Sequence, residues 1–320
     1  MGRLEQAWAT EDVPADVDYA RVLATRNATP LQSLLGVGLG IVTYLTFAPI
    51  VTQLLALGYW QASGAPGAFA DTYRRLVGYE VPFGMSAVQL GISTLIPISL
   101  ALVLFVHRVR PAYLLSVRPG MRWGLLGIMV GVAAVTLNGV LLVQHLASGG
   151  GLTVTPQRDL LWFMIACLLT SPIQAAAEEL FFRGYLMQAL GALVPNHWFG
   201  IVTSAAIFAF FHGVQNPWLF ADRFAFGVLA GWLVVKTGGL EAGIGAHIVN
   251  NVCAFLYAGL STGIAELKAL QQIGWAQAVG DIAMFGVYAL AAWLVARRIG
   301  VRTHTDAGRR PAGRSRNRSV

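Results

Sequence analysis

Long apolar runs, separated by short polar or glycine-rich breaks, fill most of this chain. They cover residues 34–57, 86–106, 123–145, 160–193, 199–211, 218–235, 244–260 and 275–295. A helix needs roughly 20 apolar residues to cross the hydrocarbon core of a bilayer. Uninterrupted apolar runs of this length predict membrane helices, not alternating strands. About eight spanning helices are expected on this criterion, the fifth short and the fourth longer than one crossing. The breaks are turn-forming: Ala62-Ser-Gly-Ala-Pro-Gly67, Gly149-Gly150-Gly151 and Gly238-Gly239. The predicted fold class is an all-α integral membrane protein with about eight transmembrane helices and an intramembrane polar site. Pro172 lies inside the fourth run and is expected to bend it.

Composition agrees with this reading. Apolar residues make up 56% of the 320 positions and charged residues 12%, and mean hydropathy is +0.62. A soluble domain carries about 25% charged residues, so no sizeable soluble domain is expected. The first 30 residues are polar and mixed in charge, without the apolar stretch of a cleaved signal peptide. Gln6 stands where myristoylation requires Ser or Thr. Cys167 and Cys253 fall in apolar runs and read as small buried hydrophobes. Gly36-x3-Gly40, Gly227-x3-Gly231 and Gly239-x3-Gly243 read as close helix packing.

The net charge of +7 gathers at the chain ends and in one loop. Arg108, Arg110, Arg118 and Arg122 follow the second run, Lys236 the sixth and Arg297-Arg298 the last. An even number of crossings puts all of them on one side together with the N-terminus, and the positive-inside rule makes that side cytosolic. The Arg309–Arg318 tail lacks interleaved aromatics, which argues against nucleic acid and for a lipid-facing anchor. Lysine occurs only at 236 and 268, a bias that points to a GC-rich bacterial genome and a bacterial plasma membrane.

Three polar clusters interrupt the late apolar runs: Glu178-Glu179-Leu-Phe-Phe-Arg183, Phe208-Ala-Phe-Phe-His212 and His247-Ile-Val-Asn-Asn251. Ionisable groups at membrane depth persist where they pair, line a wet cavity or do chemistry. Glu179 and Arg183 are four apart on one helical face and can neutralise each other. Glu178, rotated by about 100°, has no intrahelical partner and is suited to act as a base on water. His247 and Asn251 also share a face. Such a pair can orient water, bind a metal or donate to an oxyanion, or simply bond helix to helix. Asn250 points elsewhere and reads as structural. Asp222, Arg223 and Asp281 are further charges in apolar runs, read as locally paired or interfacial, or else as lining an entrance.

Taken together, Glu-Glu-x-x-x-Arg, Phe-x-x-x-His and His-x-x-x-Asn, in this order on successive helices, resemble the CPBP intramembrane proteases. That group includes the type II CAAX prenyl endopeptidases, the abortive-infection-like proteins and the bacteriocin-processing enzymes. The resemblance covers roughly residues 160–260. It implies a membrane endopeptidase in which Glu178 activates water, Glu179 and Arg183 support it, and His212 shares the water or a metal. His247 and Asn251 would complete the site or form the oxyanion hole. Zn2+ held by Glu178, His212 and His247 and a metal-free glutamate mechanism both remain open, the latter slightly favoured. The implied organisation is a polar segment 1–30, early membrane helices 31–155, a catalytic core 156–262, a last helix 263–298 and a basic disordered tail 299–320. The expected partners are the lipid bilayer and a membrane-associated protein or peptide substrate. A non-proteolytic scaffold of the same fold is the alternative. A proton-coupled transporter is disfavoured, because no internal repeat is visible.

Overall fold

In the computed structural model, residues 10–149, 154–213 and 215–306 are described. Among them the chain is helical, with no strand beyond two isolated bridges. The principal helices are α1 (Pro30–Ala62), α2 (Phe69–Val77), α3 (Pro82–Val106), α4 (Trp123–Ala147), α5 (Leu160–Gly191), α6 (His197–Phe210), α7 (Pro217–Thr237), α8 (Glu241–Gly259), α9 (Ile264–Lys268) and α10 (Trp275–Arg298). Local chemistry explains several ends. Thr29 and Gln32 form a reciprocal capping box ahead of Pro30. The Asn216 side chain accepts from Leu219 N at 3.0 Å, with Pro217 as the first helical residue. Helix α7 stops at Gly238, whose φ of 67° is the left-handed end that glycine favours.

Six described helices are long and apolar enough to cross a membrane: α1, α3, α4, α5, α7 and α10. The two other expected spans form helices but miss that criterion. Helix α6 has only 14 residues. Helix α8 has 19, but Glu241, His247, Asn250 and Asn251 dilute its apolar character. The outer surface of the bundle is apolar: Leu34, Leu39, Val42, Leu45 and Leu54 of α1 are all exposed. In water such a belt would be a large cost, whereas hydrocarbon solvates it. The molecule is an all-α integral membrane protein.

Helix α5 is the core of the bundle. Every residue from Ala177 to Gly191 is buried, as expected of a helix enclosed on all sides. Pro172 sits within the helix, and a π segment occupies Glu179–Leu186. Such i→i+5 insertions recur at functional sites. The glycine motifs serve packing inside the monomer. A Cβ at Gly227 would lie 2.7 Å from the Ala205 Cβ on α6, and one at Gly40 3.1 Å from Phe181 on α5.

One end of the bundle is a polar seam. Asp16 N donates to Thr305 O at 3.2 Å and Thr305 N to Val17 O at 3.0 Å, so the segment before α1 pairs with the segment after α10. Val117 N donates to Gly238 O at 2.9 Å beside them. Arg122 grips Glu241 at 2.8 and 2.6 Å through Nε and Nη2. The expected basic loop and both chain flanks thus share one end. Residues 1–9 and 307–320, and with them most of the expected disordered tail, lie outside the described residues.

Candidate active site

Helix α5 delivers Glu178 as its last α-helical residue before the π segment, and Glu179 opens that segment. Arg183 Nη1 donates to Glu179 Oε1 at 2.9 Å, with both side chains essentially inaccessible. The guanidinium also stacks over Phe208, 4.0 Å from the ring centroid, and faces Phe226 at 5.1 Å. A buried charge needs such compensation, because hydrocarbon and packed side chains supply none.

His247 on α8 stands across from both carboxylates. Its Nδ1 lies 3.0 Å from Glu179 Oε1 and its Nε2 3.4 Å from Glu178 Oε2. Consecutive helix positions diverge by about 100°, yet both acids reach the same ring, one at each nitrogen. Phe226 and Phe208 meet the imidazole edge-on at 5.3 and 6.4 Å between centroids, closing its apolar sides. Gly243, one turn before His247, brings α8 close: a Cβ there would lie 2.6 Å from Glu179 Oε2.

His212 lies just past the end of α6. Its Nδ1 contacts the Phe208 carbonyl oxygen at 2.8 Å. A carbonyl only accepts, so Nδ1 carries a proton and donates. The ring packs edge-on against Phe208, 4.5 Å between centroids. The turn after it is held by side chains: Gln215 Nε2 donates to Ala209 O at 2.6 Å and Asn216 Nδ2 to Ile273 O at 2.8 Å. Those bonds satisfy irregular backbone where a membrane offers no water.

Glu178, His212, His247 and Asn251 line one cavity of about 540 Å³. Glu179 and Arg183 sit behind its wall. Among the described residues, no three His, Cys, Asp or Glu side chains come together in a group able to hold a metal ion. Glu178, His212 and His247 share the cavity but do not converge as a ligand set.

Several cavity residues fall outside the three motifs. Gln174, 6% exposed, accepts from Asn251 Nδ2 at 3.0 Å. The spacing Gln174-x3-Glu178 puts both on one face of α5, a signal available in the sequence. Asn250 lines the cavity beside Asn251 and does not point away from it. Asp222, Arg223 and Asp281 line it too, with Lys268. Among the described residues none of these four makes an ion pair. Asp222 and Arg223, expected as locally paired or interfacial, form no ion pair with each other. Adjacent helix positions point about 100° apart, and Asp222 Oδ1 and Arg223 Nε are buried without a hydrogen-bond partner.

Comparison with known proteins finds similarity over the segment that holds these residues. Residues 158–253 match the family described as type II CAAX prenyl endopeptidase Rce1-like. Over that segment, less than half of its length, the chain is similar to the Rce1-like family. The Rce1-like segment contains Glu178, Glu179, Arg183, His212, His247 and Asn251. An uncharacterized protein, YyaK, of Bacillus subtilis (strain 168) is 37% identical over 105 residues, 30% of this chain. The match spans about a third (35%) of that relative's length. No solved structure matches.

Proposed function

We propose that this chain is an intramembrane endopeptidase that hydrolyses a peptide bond of a membrane-associated protein or peptide. The observation that carries this reading is one buried carboxylate, Glu178, facing a cavity in the company of His212, His247 and Asn251. The similarity of residues 158–253 to the Rce1-like family supports the coarse activity, a CAAX-type protease working within a membrane. In the proposed mechanism Glu178 takes a proton from a water molecule in the cavity, and the water oxygen attacks the substrate carbonyl. Asn251 donates to the oxyanion that develops there. Glu178, now carrying the proton, returns it to the departing amine, which breaks the C–N bond and restores the carboxylate. Glu179, neutralised by Arg183, holds the His247 ring from Nδ1 so that Nε2 faces Glu178. No step runs through a metal.

We assign the polar seam to the cytosol, because the arginines gather there and cytosolic loops carry the excess of basic residues. The plasma membrane of a bacterium is the proposed location.

The test compares protein termini by mass spectrometry in membranes from cells expressing the wild type or Glu178→Gln at equal levels. The expected result is a set of new termini made only by the wild type. Identical termini, with both proteins folded and inserted, would overturn the hydrolase reading and favour a non-proteolytic scaffold.

A further inference from the structure

Helices α5 and α8 pass each other antiparallel and meet in two polar rungs. One joins Glu178 to His247 at 3.4 Å, and the other joins Gln174 to Asn251 at 3.0 Å. Gln174 and Glu178 are four residues apart, as are His247 and Asn251, so the rungs lie one turn, about 6 Å, apart on facing sides. The outer rung has a defined polarity. Asn251 Nδ2 donates to Gln174 Oε1, while Asn251 Oδ1 receives Asn250 Nδ2 at 3.4 Å. An amide nitrogen carries two hydrogens. With one held by Gln174, the other is left for the cavity that Asn251 lines. Turned over, Asn251 would set its own carbonyl against that of Gln174 and present no donor in the required direction.

We infer that Gln174 is a positioning residue: its side-chain carbonyl holds Asn251 with an N–H directed into the cavity, where the oxyanion forms. This rests on the hydrolase reading above. Gln174 also lines the cavity, but its side-chain carbonyl is taken up by Asn251 Nδ2, so its role in this inference is to act through Asn251. Fixing a donor before the reaction matters, because a donor already aimed at the developing charge costs no reorganisation when the charge appears.

The test uses the full chain in lipid nanodiscs and a peptide spanning a cut site defined by the Glu178-dependent termini. Gln174→Met keeps the length of the side chain and removes the acceptor. It is expected to lower kcat roughly 10- to 100-fold at unchanged KM and unchanged melting temperature, because only the transition state uses the oriented donor. Asn251→Ala should lower kcat in the same way. Gln174→Glu keeps an acceptor and should hold kcat close to wild type. A wild-type kcat in Gln174→Met, or a raised KM at constant kcat, would overturn the positioning role while leaving the hydrolase reading intact. If Gln174→Met does not fold, Gln174→Glu decides alone: a kcat as low as that of Asn251→Ala overturns the assignment. Absence of any Glu178-dependent termini would remove the hydrolase reading and this inference with it.

Discussion

At the scale of single residues, the arrangement depends on a buried charge and its compensation. Glu179 is fully buried and bonds Arg183 and His247. Removing one partner of such a pair costs about 3–5 kcal/mol, since the other charge is left stranded. Arg183→Leu is therefore expected to lower the melting temperature of the detergent-solubilised protein sharply. Arg183→Lys should recover only part, because an ammonium does not stack over Phe208 as a guanidinium does. An unchanged melting temperature in Arg183→Leu would show that Glu179 does not depend on the pair. The Glu179–Arg183 pair was readable from its spacing of four, because intrahelical geometry is local. That His247 would face both glutamates was not readable, since that depends on how α8 is rotated against α5. Gln174 carried a legible spacing but no charge to draw attention to it.

Between helices, close approach does what spacing alone cannot specify. Gly243 lets α8 come within contact of the Glu179 carboxylate. Gly243→Ala is expected to insert and fold but to displace Glu179 and, through it, His247. A misplacement on the order of 1 Å can cost about 100-fold in rate, so Glu178-dependent cleavage should fall by about that factor. Gly38→Ala, whose new Cβ meets nothing within 4 Å, is the matched control and should cleave as wild type. Equal cleavage by the two variants would mean that the carboxylate tolerates displacement. The helices themselves were legible because apolar length is a strong signal. Helices α6 and α8, expected as crossings, form helices but miss the length-and-apolarity criterion, because one is short and the other spends positions on polar residues. The charges at 222, 223 and 281 read as locally paired or interfacial, or else as lining an entrance; they line the cavity and form no ion pair among the described residues, since sequence adjacency on a helix separates side chains.

Across the whole molecule, the described segments flanking the bundle meet at one end, where residues 16–18 pair with residues 304 and 305. Arg122 and Glu241 reinforce the same end, with Glu241 fully buried. The even crossing count and the clustered arginines made this shared end foreseeable. The pairing itself was not, because nothing in short polar segments announces a partner almost 290 residues away. That separation bears on the order of assembly. A ribosome releases residue 18 long before residue 304, so the first polar segment spends most of synthesis without its partner. The pairing can close only when every helix has been inserted with the right parity, which makes it a check on completion. Nascent chains stalled before residue 300 should leave residues 14–17, whose bonds go to Thr305, open to protease, and chains released past residue 306 should protect them. Equal protection in both would mean that the segment is held by the early helices alone.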